Sequence, residues 1–235
     1  MPPAIQCEAI AEDALLLRFG NTINRHINDY VHAAAARIRV HWPELECVPA
    51  YASLLLRFDA QQWSGHETAT PHQRLGDAVL EILVDLTIES DSARLIDIPV
   101  HYGNASAPDL AEVARLTGLS QADVITRHTA AEYRVAMLGF APGFPYLLGM
   151  DPALTVPRRA DPRQRVPAGS VAIGGQQTGI YPNELPGGWQ LIGRTPLRLF
   201  DAAIESPTLL AAGDRLRFHA IDEATFRQLT AAKKT

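Results

Sequence analysis

The side chains of this sequence that could bind or convert a small ligand are concentrated between Gly139 and Pro196. Ten of the sixteen glycines and nine of the seventeen prolines lie in this segment, together with arginines, glutamines, threonines and tyrosines. Such polar side chains bind carboxylate, phosphate and amide groups. Glycine lets a backbone approach a ligand closely, and proline stiffens turns. The composition is equally consistent with a ligand site and with a barrel whose tight corners need glycine and proline.

Familiar catalytic motifs are absent from the sequence. It contains no Gly-x-Ser-x-Gly nucleophile elbow, no Walker-type phosphate loop, and no His-x-x-x-His or Cys-x-x-Cys pair for a metal. His128 differs from the other histidines because it ends a short predicted helix, just ahead of the strand that opens the Gly/Pro-rich segment. The two cysteines, Cys7 and Cys47, are interpreted as reduced, packed thiols.

Residues 1–92 are predicted to form an α+β sandwich domain. Short apolar strands and amphipathic helices follow the order strand–strand–helix twice, which predicts an antiparallel sheet with helices on one face. Asn21 or Thr22 is expected to cap the first helix, with Asn28 on its exposed face, and Pro71 to lie near the start of the second. The predicted strands are Ile5–Ile10, Ala14–Phe19, Cys47–Tyr51 and Ser53–Phe58.

Residues 93–235 are predicted to form a β-barrel domain with an inserted helical hairpin at about residues 107–129. A strand at Arg94–Val100 precedes the hairpin, in which Gly118 ends the first helix and Ser120 caps the second. The Gly/Pro-rich segment predicts many short strands joined by tight turns. Arg215–His219 is expected to be the closing strand.

The charge of the chain argues against nucleic acid and membrane partners. The formal net charge is −5 and the pI is near 5.9, so there is no basic surface for nucleic acid or anionic lipid. The helical hairpin resembles a helix-turn-helix, but its second helix begins with Ser120, Gln121, Ala122 and Asp123 rather than with basic side chains. No secretory signal or apolar run of about 20 residues is visible, so we expect a cytoplasmic protein.

Five sequence motifs resemble one known family. They are IPVHY (98–102), GFAPGFPY (139–146), RVPAGSVAIGGQQTGIYP (165–182), PGGWQ (186–190) and GRTP (193–196). Their order and length resemble the signature of the B subunit of bacterial ATP-dependent 5-oxoprolinases, also described as allophanate hydrolase subunit 1 or the KipI type. Departures are small: Leu185 stands where many relatives have serine, and Asn104 where glycine is frequent.

The resemblance implies a fold, a reaction and partners. The fold is an N-terminal α+β domain followed by a cyclophilin-like β-barrel. The reaction opens 5-oxo-L-proline to L-glutamate at the expense of ATP. The partners are the C subunit of 5-oxoprolinase, which is related to allophanate hydrolase subunit 2, and the A subunit. ATP, with Mg²⁺, would be a co-substrate, and no tightly bound cofactor or protein metal site is expected.

Given that reaction, polar side chains are expected to act on the substrate carboxylate, the phosphoryl group or the lactam amide: Arg159, Arg165, Gln176, Gln177, Tyr181 and His128. The arginines would hold a carboxylate or the transferring phosphoryl group. The glutamines would bind the amide, the tyrosine would orient either group, and the histidine would carry a proton. His128, Arg165 and Tyr181 are the expected catalytic residues, and the others are expected to bind.

Aromatic side chains of the same segment are expected to contact another protein of the complex. Phe144, Tyr146 and Trp189 form the predicted interface, and Phe140 lies beside them in the sequence. Three aromatics within seven residues do not easily all point into one small barrel. We therefore expect at least one of the four, above all Phe144 or Trp189, to be exposed in the isolated chain.

Two other functions fit the same resemblance. One is a KipI-like inhibitor that docks on a sensor histidine kinase. The other is a carboxyltransferase component of a urea or allophanate pathway. The sequence has no biotin-accepting Met-Lys-Met motif, so a carboxyltransferase would have to receive biotin from another protein.

Overall fold

The computed structural model describes residues 3–65, 68–88 and 93–232. Contacts divide the chain into two units, Met1–Ser92 and Ala93–Thr235. The boundary that we expect after residue 92 adjoins residues 89–92, which lie outside the described residues. None of the helices in the described ranges is long and apolar enough to cross a membrane.

In its described residues, the first unit is a four-stranded antiparallel sheet with two helices on one face. Its elements are β1 (Gln6–Ala11), β2 (Ala14–Arg18), α1 (Arg25–His41), β3 (Glu46–Pro49), β4 (Ser53–Arg57) and α2 (Pro71–Leu83). The strand order is β1-β2-β4-β3. Alternate residues of β2 and β4 form one core with the apolar faces of α1 and α2. The predicted strand–strand–helix repeat is confirmed.

The start of α1 differs from the prediction. Asn24, not Asn21 or Thr22, caps the helix, because its side-chain oxygen accepts the first backbone N–H groups. Asn28, expected on the exposed face, is fully buried and donates from Nδ2 to the carbonyl oxygen of Ala50 at 3.0 Å. The start of α2 agrees with the sequence, since Pro71 is its first residue.

The second unit is a nearly closed β-barrel. Its elements are β5 (Leu95–Val100), α3 (Leu110–Thr117), α4 (Gln121–Ala130), β6 (Glu132–Leu138), β7 (Pro145–Leu148), β8 (Arg163–Val166), β9 (Ser170–Gly174), β10 (Gln177–Ile180), β11 (Leu185–Gly187), β12 (Gln190–Arg194), β13 (Arg215–Ala220) and α5 (Glu223–Ala231). Seven strands follow the order β12-β9-β10-β7-β6-β13-β5, while β8 and β11 form a separate two-stranded sheet. The predicted α+β fold with a C-terminal barrel is confirmed.

The barrel closes where its two edge strands meet. His101, directly after β5, exchanges two backbone hydrogen bonds of 2.9 and 3.0 Å with Arg194 of β12. The predicted strand at Arg215–His219 is confirmed as β13. It does not close the barrel as expected, because it lies inside the sheet, parallel to β5 and antiparallel to β6. The sequence pattern shows that a segment is a strand but does not show its neighbours, because strand pairing depends on distant parts of the chain.

Apolar side chains pack on both faces of the barrel sheet. Along β9, Val171 and Ile173 belong to the large core inside the barrel, whereas Ala172 between them belongs to a second core on the outer face. Val166 of β8 and Leu185 of β11 also pack in this outer core. The β8–β11 sheet therefore acts as a cover over part of the barrel wall.

Candidate functional site

Four aromatic side chains of the Gly/Pro-rich segment pack together in the outer core. This aromatic cluster consists of Phe144, Tyr146, Tyr181 and Trp189. Phe144 is its centre, with ring centroids at 5.0 Å from Tyr146, 5.2 Å from Tyr181 and 5.7 Å from Trp189. Tilted and edge-to-face arrangements of this kind are the favoured geometries of aromatic pairs.

The burial of Phe144 and Trp189 corrects the expectation that their rings are exposed, while Tyr146 is half-buried. Phe144 is 2% exposed and Trp189 is 6% exposed, so neither presents its ring to another protein. The β8–β11 cover gives the aromatic rings a second core outside the barrel, and the expectation of exposed rings assumed one core only. The expectation that at least one of the four aromatics is exposed is confirmed by Phe140, at 62%, in the loop between β6 and β7. Its φ of 67° lies in the left-handed region that bulky residues avoid.

Two glycines of the segment are explained by this packing. A Cβ atom on Gly187 would overlap the hydroxyl oxygen of Tyr181, and one on Gly174 would lie 2.6 Å from the ring of Trp189. Glycine at these positions admits an aromatic ring of the protein itself, not a ligand. The structure thus favours the packing interpretation of glycine at these two sites.

Arg158, which is not among the site residues predicted from the sequence, lies against the aromatic cluster. The central carbon of its guanidinium is 5.7 Å from the centroid of the Trp189 ring, a cation–π distance. Burial raises the pKa values of Tyr146 and Tyr181, while the charge of Arg158 acts in the opposite direction on both. A backbone hydrogen bond from Trp189 also reaches Tyr181. Both phenols are therefore protonated at neutral pH and lie within electrostatic range of Arg158.

A buried carboxylate organises two further arginines. Asp109, 4% exposed, accepts hydrogen bonds from Nη1 of Arg159 at 3.2 Å and from both Nη atoms of Arg163 at 2.8 and 2.7 Å. The backbone N–H of Leu191 donates to the same carboxylate at 2.7 Å. Arg159 is therefore partly engaged by Asp109, and its side chain stays one-third exposed. Neither Asp109 nor Arg163 is predicted as a site residue from the sequence.

The remaining predicted binding residues lie nearer the surface. Arg165 has a side chain that is 81% exposed and a 3.7 Å ion pair with Glu184. Gln176 is exposed at the β9–β10 turn and Gln177 is half-buried at the start of β10. A backbone bridge between Val156 and Gly175 places this turn beside the segment that carries Arg158 and Arg159.

His128 lies inside the barrel, which corrects its expected role as a proton carrier. It is fully buried and stacks on Phe218 at 4.5 Å. The Tyr102 hydroxyl is 2.8 Å from Nδ1, and Thr178 Oγ1 is 3.3 Å from Nε2. Since Thr178 donates its own proton to the carbonyl oxygen of Ala172, its oxygen accepts from Nε2–H, and the Tyr102 hydroxyl donates to Nδ1. Burial lowers the pKa of His128 to about 3, so the ring is neutral and structural.

Similarity to known proteins extends over most of the chain. Residues 5–210 match the family model described as the carboxyltransferase domain, subdomain C and D. The chain is 44% identical to the 5-oxoprolinase B subunit of Bacillus subtilis (strain 168), over 94% of this chain and 95% of that protein. It is 58% identical to the protein of the same name from Escherichia coli O157:H7, over 54% of this chain and 58% of that protein.

Solved structures share the fold. The crystal structure of TTHA0988 aligns with a TM-score of 0.74 at 39% identity, over 89% of this chain and 40% of that one. This chain thus spans less than half of that protein. The Kluyveromyces lactis urea carboxylase aligns with a TM-score of 0.74 at 20% identity, over 96% of this chain and 22% of that chain. With a curated relative matched almost end to end, the chain belongs to the family of 5-oxoprolinase B subunits and carries the carboxyltransferase domain of the C and D type.

Proposed function

We propose that this protein is the B subunit of an ATP-dependent 5-oxoprolinase, which opens 5-oxo-L-proline to L-glutamate together with the C and A subunits. The observation that carries the proposal is the 44% identity to the Bacillus subtilis 5-oxoprolinase B subunit, over 94% of this chain and 95% of that protein. A match across both lengths favours a shared role more strongly than a likeness of fold, because one fold hosts many functions.

The reaction explains why the enzyme would need ATP and cationic side chains. The carbonyl carbon of an unstrained lactam is a poor electrophile, and phosphorylation of its oxygen creates a leaving group that allows water to add. Negative charge develops on the phosphoryl oxygens during the transfer, and guanidinium groups stabilise that charge. Arg158 and Arg165 are exposed on the second unit and offer this chemistry. Their donor groups fit the phosphates of ATP and the substrate carboxylate.

The chemistry of these groups favours a site shared with another protein of the complex. Arginine guanidiniums and protonated tyrosine hydroxyls donate hydrogen bonds, whereas hydrolysis also needs a base for the attacking water. Asp109 is bound by two arginines, and His128 is enclosed in the barrel. We infer that another protein of the complex supplies the base and that the isolated chain is folded but inactive.

The test is to co-express this chain with the C and A subunits and to measure ADP and L-glutamate formation from 5-oxo-L-proline and MgATP. The complex is expected to form both products in equal amounts, and the lone chain neither. Robust turnover by the lone chain contradicts the shared site. An inactive complex that inhibits a sensor histidine kinase, or that transfers carboxyl groups from biotin, contradicts the proposed reaction.

Replacing Arg165 by lysine tests one residue in the same assay. Lysine keeps the charge but lacks the planar fork that grips an oxyanion at two points. We expect kcat/KM of the assembled complex to fall roughly 10- to 1000-fold. Arg115→Gln is a suitable control, because Arg115 is exposed on α3 and pairs with Glu112. Unchanged kinetics for Arg165→Lys would make Arg165 a surface residue only.

A further inference from the structure

Arg158 differs from the other arginines of the Gly/Pro-rich segment in its hydrogen bonding. Arg159 and Arg163 donate to a buried carboxylate, Arg165 pairs with a glutamate, and Arg194 donates to a backbone carbonyl at 2.9 Å. Arg158 has no ion pair or hydrogen bond to any residue in the described ranges, and its one described contact is the face of a tryptophan ring. The N–H groups of its guanidinium therefore point to solvent or to a ligand.

The tryptophan ring restricts the freedom of this guanidinium through a cation–π contact. An arginine side chain in water loses rotamer freedom when it binds an anion, and a guanidinium already stacked on a ring has lost part of that freedom. Trp189 is itself held in place by Phe144 at 5.7 Å and Tyr146 at 5.9 Å. Arg158 thus presents an exposed guanidinium beside a buried aromatic ring. Its planar pair of N–H donors has therefore lost part of its freedom before an anion binds.

The local charge is positive although the chain as a whole is negative. The charged side chains that act on the hydroxyl of Tyr181 are Arg158 and Arg163, and the one that acts on Tyr146 is Arg158. Both phenols are protonated at neutral pH, so they add hydroxyl groups and no negative charge. The formal net charge of the whole chain is −5, so a cationic spot of this kind is not a general property of the surface.

We propose that Arg158, supported by Trp189 and flanked by Tyr146, is an oxyanion-binding site that takes a carboxylate or a phosphate group. The guanidinium fork matches the two oxygens of either anion. Under the proposed function, on which this identification rests, the anion is either the carboxylate of 5-oxo-L-proline or a phosphate of the nucleotide. The site itself is defined by the geometry of Arg158 and its neighbours.

The fluorescence of Trp189 can report anion binding at Arg158 directly. The chain has three tryptophans, and Trp42 and Trp63 contact each other in the first unit. A Trp42→Phe, Trp63→Phe background leaves Trp189 as the only indole, so an anion that binds the guanidinium beside this ring should change the Trp189 fluorescence. The full-length isolated chain is titrated at constant ionic strength with sodium 5-oxo-L-proline or inorganic phosphate, and with chloride as reference. Calorimetric titration of the unsubstituted chain gives a second measurement that does not depend on the tryptophan replacements.

The matched variants are Arg158→Gln, Arg158→Lys and the control Arg115→Gln, which removes the same charge from an exposed site on α3. We expect saturable binding in the parent and the control, at least 10-fold weaker binding in Arg158→Gln, and intermediate binding in Arg158→Lys. A response to 5-oxo-L-proline alone identifies a substrate carboxylate, and a response to phosphate alone identifies a phosphoryl group. Equal affinity in Arg158→Gln and parent, or no saturable response to either anion, overturns the proposal.

The outcome is separable from that of the proposed function. If Arg158-dependent binding is present and the complex with the C and A subunits makes no L-glutamate, the site stands and the proposed reaction fails. If the complex makes L-glutamate at the same rate with Arg158→Gln and the isolated chain shows no binding, the reaction stands and the site fails.

Discussion

Lowering the pH from 7 to 4.5 is expected to destabilise the second unit through a single buried side chain, His128. In the folded barrel the imidazole is neutral, with a pKa lowered to about 3 by burial. In the unfolded chain the same imidazole has its ordinary pKa of about 6.5 and takes up a proton over this range. Since the unfolded state binds more protons than the folded state, the free energy of unfolding falls as the pH falls.

The magnitude follows from the two pKa values. The stability that His128 contributes is fully present above the unfolded pKa and declines by up to about 1.4 kcal/mol for each pH unit between the unfolded and folded values. From pH 7 to pH 4.5 the loss is about 2.6 kcal/mol. Any folded pKa below about 4 gives nearly the same figure, because the folded imidazole then stays neutral throughout this range.

Urea unfolding at both pH values measures this loss. The Trp42→Phe, Trp63→Phe background makes fluorescence report the second unit through Trp189, which avoids treating two units as one transition. His128→Gln removes the titrating group, so the pH-dependent loss of this variant should be smaller than that of the parent by about 2.6 kcal/mol. Exposed carboxylates titrate in both proteins, so their contributions to the pH dependence cancel in the difference between parent and variant. Parallel stability curves for the two proteins would refute the assignment of a neutral, buried His128.

Five further substitutions test the buried charge, the packing and the exposed loop. Asp109→Asn should lower the free energy of unfolding by about 2–3 kcal/mol, because two arginines lose their carboxylate, and urea unfolding measures it; no change would contradict the role of Asp109 in holding Arg159 and Arg163. Gly187→Ala should cost about 1–3 kcal/mol, since its Cβ would overlap a buried tyrosine hydroxyl. Gly188→Ala, whose Cβ would meet its nearest atom at 3.5 Å, is the control, and equal melting temperatures would refute the overlap. Phe144→Ala should cost about 3–5 kcal/mol, whereas Phe140→Ala, which removes one edge-to-face contact with Phe144, should lower the melting temperature of the lone chain much less and weaken its co-purification with the C subunit. A large drop for Phe140→Ala would make that residue part of the core.

The order of elements and the family could be inferred from the sequence because both depend on local signals. Gly118, with φ of 70°, ends α3 and Ser120 caps α4, as their positions predict. The α5 helix at Glu223–Ala231 was not predicted, although Asp222 caps it. The motif run from 139 to 196 identified the family.

The placement of site residues could not be inferred, because it depends on contacts between distant segments. Asp109 lies 50 residues from Arg159 in the sequence, and next to a helix start it resembles an ordinary cap. The burial of Phe144 and Trp189 depends on the β8–β11 cover, which the pattern of short strands does not specify. The burial of His128 could have been inferred from the sequence, because Val124 lies four residues earlier and both residues therefore occupy the buried face of α4.

The position of β13 has a consequence for synthesis of the protein. This strand pairs with β5 over six residue pairs, from Arg215–Leu95 to Ala220–Val100, and it also separates β5 from β6. Until residue 220 has left the ribosome, β5 and β6 have no partner on the sides that β13 will occupy, and such unpaired edges invite aggregation. Pairing across about 120 residues also makes folding slow compared with a sheet built from hairpins. The first unit, whose described strands and helices lie before residue 84, can fold before the last strand of the barrel has been synthesised.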